Sequence, residues 1–255
     1  MENFFQILIL SLVQGVTEFL PVSSSAHIYL ISNMFTLIKE ELMLNVSVHT
    51  GSLLAVLFFF KNEVLDFGKN KKLFFRIVIA SIPLFFFGYI IVKYNLLSDI
   101  RTYKIIGWMT IIFGLLLYLS DKFDLNQKIE DNFNLKSALF LGFFQVLALI
   151  PGVSRSGIII TGARFLKFNR GDAAKISFLM SIPALAGATV YGIYTLVMED
   201  NLYLNMSSIL TVCISFIFSY LTIKYFLIYL KKFSFNLIIF YRLILGLVIL
   251  SIVYL

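Results

Sequence analysis

Six apolar runs, near residues 44–60, 74–92, 104–120, 176–197, 207–230 and 236–254, dominate this 255-residue chain. A helix crosses the bilayer core of roughly 30 Å with about 17–25 residues, so each run is long enough to span. One soluble core could not hide them all. The chain is 60% hydrophobic with a mean hydropathy of +0.92, whereas an ordinary soluble domain is closer to half apolar. Lipid is the solvent that takes the surplus. Charged residues make up only 14% and cluster between the runs.

Two further regions, 4–38 and 135–166, are apolar but broken midway, by LPVSSSAH at 20–27 and PGVSRSG at 151–157. Proline removes a backbone donor and ends a helix. Irregular backbone at membrane depth survives only where protein or a wet cavity satisfies it. Each region therefore reads as a re-entrant hairpin of two half-helices. A shift of 131 residues carries Gln14 onto Gln145, Val22 onto Val153, Ser23 onto Ser154 and Ser25 onto Ser156. It also carries the first three spans onto the last three. Duplication of one unit follows. A hairpin gives no net crossing and three spans give an odd number, so the copies are inverted. The expected fold is all-α: six transmembrane helices plus two re-entrant hairpins in one membrane domain, with repeats at 1–120 and 135–255.

Fifteen of the twenty-one Lys and Arg lie in segments 61–76, 121–136, 164–175 and 224–232, which share one face in an alternating topology. The positive-inside rule makes that face cytoplasmic and puts both termini outside. The net charge of +7 thus reads as topology and attraction to anionic lipid headgroups, not nucleic-acid binding. The single Cys213 excludes a disulfide framework and a Cys-rich metal site. The N-terminus has no basic n-region and no small-residue cleavage site, so residues 4–20 are expected in the mature protein.

The polar residues inside the broken segments are the candidate site, because an intramembrane charge is costly and marks function. Gln14 and Glu18 are four apart and share a helix face. Glu18 could ligate Mg²⁺ or Ca²⁺ with the Gln14 carbonyl as a second oxygen. It could instead act as a base, orient a histidine, or form a structural pair with Arg155. His27, past the helix break, can exchange a proton or attack phosphorus. Ser23, Ser24 and Ser25 are helix caps, nucleophiles or donors to a phosphoryl oxygen, with Ser24 the preferred nucleophile. Arg155 sits between Ser154 and Ser156 where a half-helix opens after Gly152, a place where free N–H groups bind phosphate. Its fork of donors suits phosphoryl oxygens. Glu18 or a bound anion is its available partner. Ser23, Ser25, Ser154, Ser156 and Gly152 complete the expected substrate-binding set. His49 is a further candidate for the cavity mouth, and Gln145 a brace for the second tip.

VQGVTEFLPVSSSAH resembles the (E/Q)-x-x-x-E and P-V-S-S-x-x-H segment of the bacterial undecaprenyl-pyrophosphate phosphatase family. FFQVLALIPGVSRSG is similar to its P-G-x-S-R-S motif, and SFLMSIP at 177–183 to the segment that follows. The resemblance implies an enzyme that removes the terminal phosphate of a C55 polyprenyl diphosphate, giving the lipid carrier of peptidoglycan precursors. It implies a divalent cation, action at the outer face of the cytoplasmic membrane, and a homodimer. Gln14 and Glu18 then match the acidic pair, Ser24 and His27 the nucleophile candidates, and Ser154 and Arg155 the diphosphate binders. Gln14 stands where many members carry Glu, Ala26 where Gly is common, and Ile159 where many have Thr. The competing reading is a transporter or flippase for a phosphorylated lipid, since inverted repeats with broken helices also build carriers.

Overall fold

The computed structural model describes residues 2–34, 41–65, 67–96, 102–123, 127–198 and 206–254. Among these the fold is helical throughout, with a lone bridge between Gln127 and Phe168 in place of any sheet. Six helices are long and apolar enough to cross a membrane: α3 (Glu41–Phe59), α5 (Phe67–Lys93), α6 (Tyr103–Asp121), α10 (Arg170–Met198), α11 (Met206–Leu230) and α12 (Asn236–Tyr254). They fall on the six expected runs, and α5 and α10 begin more than a turn earlier than expected. Short helices α4 (Lys61–Leu65) and α7 (Ile129–Asn132) lie in the connections.

Each broken segment forms two helices. The first gives α1 (Glu2–Thr17) and α2 (Ser24–Met34); residues 35–38 of that segment lie outside the described residues. The second gives α8 (Leu135–Val146), a 3-10 turn at Leu147–Leu149, and α9 (Arg155–Phe165). At 1.5 Å per residue none of the four reaches the roughly 30 Å of a bilayer core. Asn134 starts α8 by accepting from the Ser137 N–H at 3.0 Å, which satisfies one orphan donor of the first turn.

Packing pairs α1 with α11, α5 with α8, α3 with both α10 and α11, and α6 with α12. Apolar side chains give helices in lipid little reason to associate, so small and hydroxyl residues hold the interfaces. Ser52 of α3 bonds Ser215 and Ser219 of α11 at 3.1 and 2.9 Å, and Ser219 reaches the Gly15 carbonyl of α1 at 3.1 Å. Large apolar side chains point outward: Phe75, Phe86, Val190 and Leu237 are each at least 60% exposed. That belt is what lipid covers in a multi-pass membrane protein. At one end of the bundle the buried Asp121 carboxylate takes Arg164 and Arg170 at 3.3 and 2.8 Å and caps the Phe235 N–H. It ties together the last turns of α6 and α9 and the first turns of α10 and α12.

Candidate active site

The two breaks meet inside the bundle and close on each other. Ser25 of the first accepts from the Gly152 N–H of the second at 3.0 Å. Ser156 of the second donates to the Leu20 carbonyl of the first at 2.7 Å. Gly152 has φ +97 and packs flat on α6, where a Cβ would stand 2.5 Å from the Ile106 carbonyl. Ser154 is also left-handed, at φ 65, a conformation a serine adopts at some cost. It caps α9 by accepting from Gly157 N–H at 3.2 Å.

Glu18 lies just past the end of α1. Arg155, the first residue of α9, donates from Nη2 to Glu18 Oε1 at 2.7 Å. Gln14 donates from Nε2 to Oε2 at 3.0 Å. Three buried polar atoms around this centre have no partner: Gln14 Oε1, Arg155 Nη1 and His49 Nδ1. His49, on α3, is within electrostatic reach of Glu18. Unpartnered buried atoms are rare and call for a ligand or water.

A second guanidinium sits nearby. Arg242 of α12 is fully buried and donates to the carbonyls of Pro21, Gly152, Val153 and Thr110 at 3.1–3.3 Å. Gly157 makes room for it: a Cβ there would be 2.8 Å from Nη1. None of those acceptors is a carboxylate: carbonyl dipoles alone receive its hydrogen bonds. The N-termini of α2 and α9 add their positive dipole ends.

The serines divide by what they already do. Ser23 and Ser25 bond each other at 2.9 Å, and Ser23 also accepts from Ala26 N–H. Ser154 and Ser156 are 3.3 Å apart and serve the cap and the stitch already described. The Gly152 N–H and carbonyl are spent on Ser25 and Arg242. Ser24 is the exception: its hydroxyl has no hydrogen-bond partner among the described residues, and it is partly exposed. It lies one turn from His27 on α2 and so shares its face. His27 is bonded at both ring nitrogens, Nδ1 to the Ser23 carbonyl at 2.6 Å and Nε2 to the Tyr241 hydroxyl at 2.5 Å.

Among the described residues no three His, Cys, Asp or Glu side chains gather as a metal cage. The pair that is present offers hard oxygens, and Gln14 Oε1 is a buried acceptor with nothing to accept. Magnesium commonly takes one or two carboxylates and completes its shell with substrate phosphates and water. The residues therefore fit a divalent cation that arrives with a diphosphate, and do not form a cage that would hold one alone.

Sequence reasoning passed over Arg242, Tyr241 and Thr110. The signal for Arg242 was present: it is the lone charge inside the apolar run 236–254. Gln145, expected to brace the second tip, is fully buried with neither side-chain atom bonded. Ile159 is buried in the core.

Fold and site together define a multi-pass helical membrane protein with a polar centre held between two broken helix pairs. Residues 7–248 match the family described as "Bacitracin resistance protein BacA", and the chain belongs to that family. It is 47% identical over 254 residues to a protein of Pelagibacter ubique named undecaprenyl-diphosphatase, covering 99% of both chains. Proteins of the same name from Jannaschia sp. and Erythrobacter litoralis are 35% and 34% identical, with 99% and 96% of this chain covered.

Proposed function

We propose that this protein is an undecaprenyl-diphosphate phosphatase, removing the terminal phosphate of a C55 polyprenyl diphosphate to regenerate the monophosphate lipid carrier. The observation that carries the reading is the Glu18–Arg155 pair joining the two breaks, with the unbonded Ser24 hydroxyl and His27 on the adjoining half-helix. The prenyl tail stays in lipid while the diphosphate enters between the breaks. Arg155 Nη1 and the free N–H groups opening α9 and α2 take its oxygens, which stabilises charge that grows during transfer. Ser24 Oγ attacks the terminal phosphorus, its proton passes to His27, and the P–O bond to the bridging oxygen breaks. The lipid monophosphate leaves with that oxygen, and water then hydrolyses the phosphoserine, restoring the hydroxyl. Ser24 is preferred to His27 as nucleophile because its hydroxyl is partly exposed and has no hydrogen-bond partner among the described residues. Glu18 and Gln14 Oε1 would hold a divalent cation, which when bound supplies Lewis-acid neutralisation of the diphosphate.

On this reading the site lies in the cytoplasmic membrane and opens outward, within two inverted repeats whose broken segments are re-entrant. Two observations support the repeat. The packing pairs exchange among themselves when the halves are swapped: α3–α11 with α10–α5, α1–α11 with α8–α5, α6–α12 with itself. Ser25 and Ser156, equivalent under the 131-residue shift, make reciprocal bonds to the opposite break.

Purified protein in detergent is expected to release phosphate from undecaprenyl diphosphate in the presence of Mg²⁺ or Ca²⁺. Ser24→Ala, Arg155→Ala and Glu18→Ala should each lower release at least a hundredfold. Binding of the lipid without release by the wild type would sink the enzyme reading and leave a carrier. Near-normal release by Arg155→Ala or Glu18→Ala would sink the site assignment.

A further inference from the structure

We propose that Tyr241 is a positioning residue that holds the orientation of the His27 ring and engages its Nε2, the tautomer being fixed by the Ser23 carbonyl; the inference rests on the site reading above. A carbonyl oxygen can only accept, so the 2.6 Å contact with the Ser23 carbonyl requires the hydrogen on Nδ1. In the neutral ring Nε2 then carries the lone pair, and the Tyr241 hydroxyl at 2.5 Å is its donor. The two rings also lie side by side, 5.6 Å between centroids and 19° apart, which opposes rotation of the imidazole.

Tyr241 is held in turn by its neighbour. Arg242 is anchored to Pro21 of the first break and to Gly152 and Val153 of the second. The tyrosine is thus registered against the same backbone that carries Ser24 and Arg155. Nδ1 is committed to Ser23, so Nε2 is the nitrogen left for chemistry, and Tyr241 governs access to it. For Nε2 to take the proton from Ser24, the phenol hydrogen must first turn away and release the lone pair; Nε2–H can then donate to the tyrosine oxygen. One contact therefore serves the ring before and after proton transfer.

The chain has only two histidines, so the ¹⁵N spectrum of histidine-labelled protein is simple, and His49→Gln assigns it. The wild type should show His27 as the Nδ1–H tautomer with a hydrogen-bonded Nε2. In Tyr241→Phe the Nε2 resonance should move to the free-acceptor position while Nδ1–H stays. kcat should fall about tenfold with KM changed less than about twofold, the loss expected for one hydrogen bond to the base. A wild-type ring in the Nε2–H tautomer overturns the proposal even if the variant cannot be recovered folded. So does a Tyr241→Phe spectrum identical to wild type. If the resonance moves but His27→Gln still releases phosphate normally, the pairing stands and it is the site reading that fails.

Discussion

The Glu18–Arg155 pair gives a prediction in which stability and activity part company. The charged atoms are 2.7 Å apart, with side chains only 9% and 15% exposed. At a charge separation near 4 Å and an effective dielectric of about 20, the attraction is roughly 4 kcal/mol. Removing one partner leaves the other charge buried alone, at a cost of about 3–5 kcal/mol. Arg155→Met should therefore lower stability by that amount. Adding Glu18→Gln removes the stranded carboxylate, so the double variant should recover at least half of the loss. Phosphate release should stay at the background of the single variant, because the anion site has lost its guanidinium. The assay is denaturant unfolding in detergent alongside phosphate release from undecaprenyl diphosphate. A double variant no more stable than Arg155→Met would refute the claim that the two charges hold each other. Recovery of activity with stability would refute the claim that Arg155 serves the substrate.

Two further predictions concern the supports of the site. Gly152→Ala puts a Cβ 2.5 Å from the Ile106 carbonyl at a φ of +97. It should cost about 2–4 kcal/mol and open the contact with Ser25, read as faster proteolysis in the 147–155 segment and lower phosphate release. Asp121→Asn leaves Arg164 and Arg170 without their shared carboxylate. It should lower stability by about 3–5 kcal/mol, while KM for the diphosphate in protein that remains folded stays within about twofold.

The spans were legible because length and hydropathy are properties of one segment, and lipid imposes both. The breaks were legible because Pro21, Pro151 and Gly152 stand beside runs of serine; proline alone was not the signal, since Pro83 and Pro183 lie inside α5 and α10. The meeting of Glu18 with Arg155 could be anticipated from charge economy alone: a buried guanidinium needs an anion, and the apolar segments offer few. The division of labour among the serines could not be anticipated. Ser23, Ser24 and Ser25 are chemically alike, and only the position of Gly152 across the interface decides that Ser25 is spent and Ser24 is not. Arg242 was hidden for a related reason. Its partners are backbone carbonyls at Pro21, Thr110, Gly152 and Val153, which leave no trace in the identity of any side chain.

The reciprocal serine bonds have a consequence for how the protein is made. The first break is completed only by groups 127–137 residues further along the chain, and by Arg242, 221 residues beyond Pro21. At a synthesis rate of about 5–20 residues per second, Glu18 waits on the order of ten seconds or more for Arg155 to emerge. During that interval the Pro21 carbonyl lacks its Arg242 partner and the Leu20 carbonyl has only the Val22 N–H, so the first half settles fully only once the second is present. The nascent protein must keep this segment near water, or sheltered by the insertion machinery, until the second half arrives. The site is thus among the last parts of the molecule to be assembled, and a chain truncated before Arg155 holds an acid and a histidine with no pocket to work in.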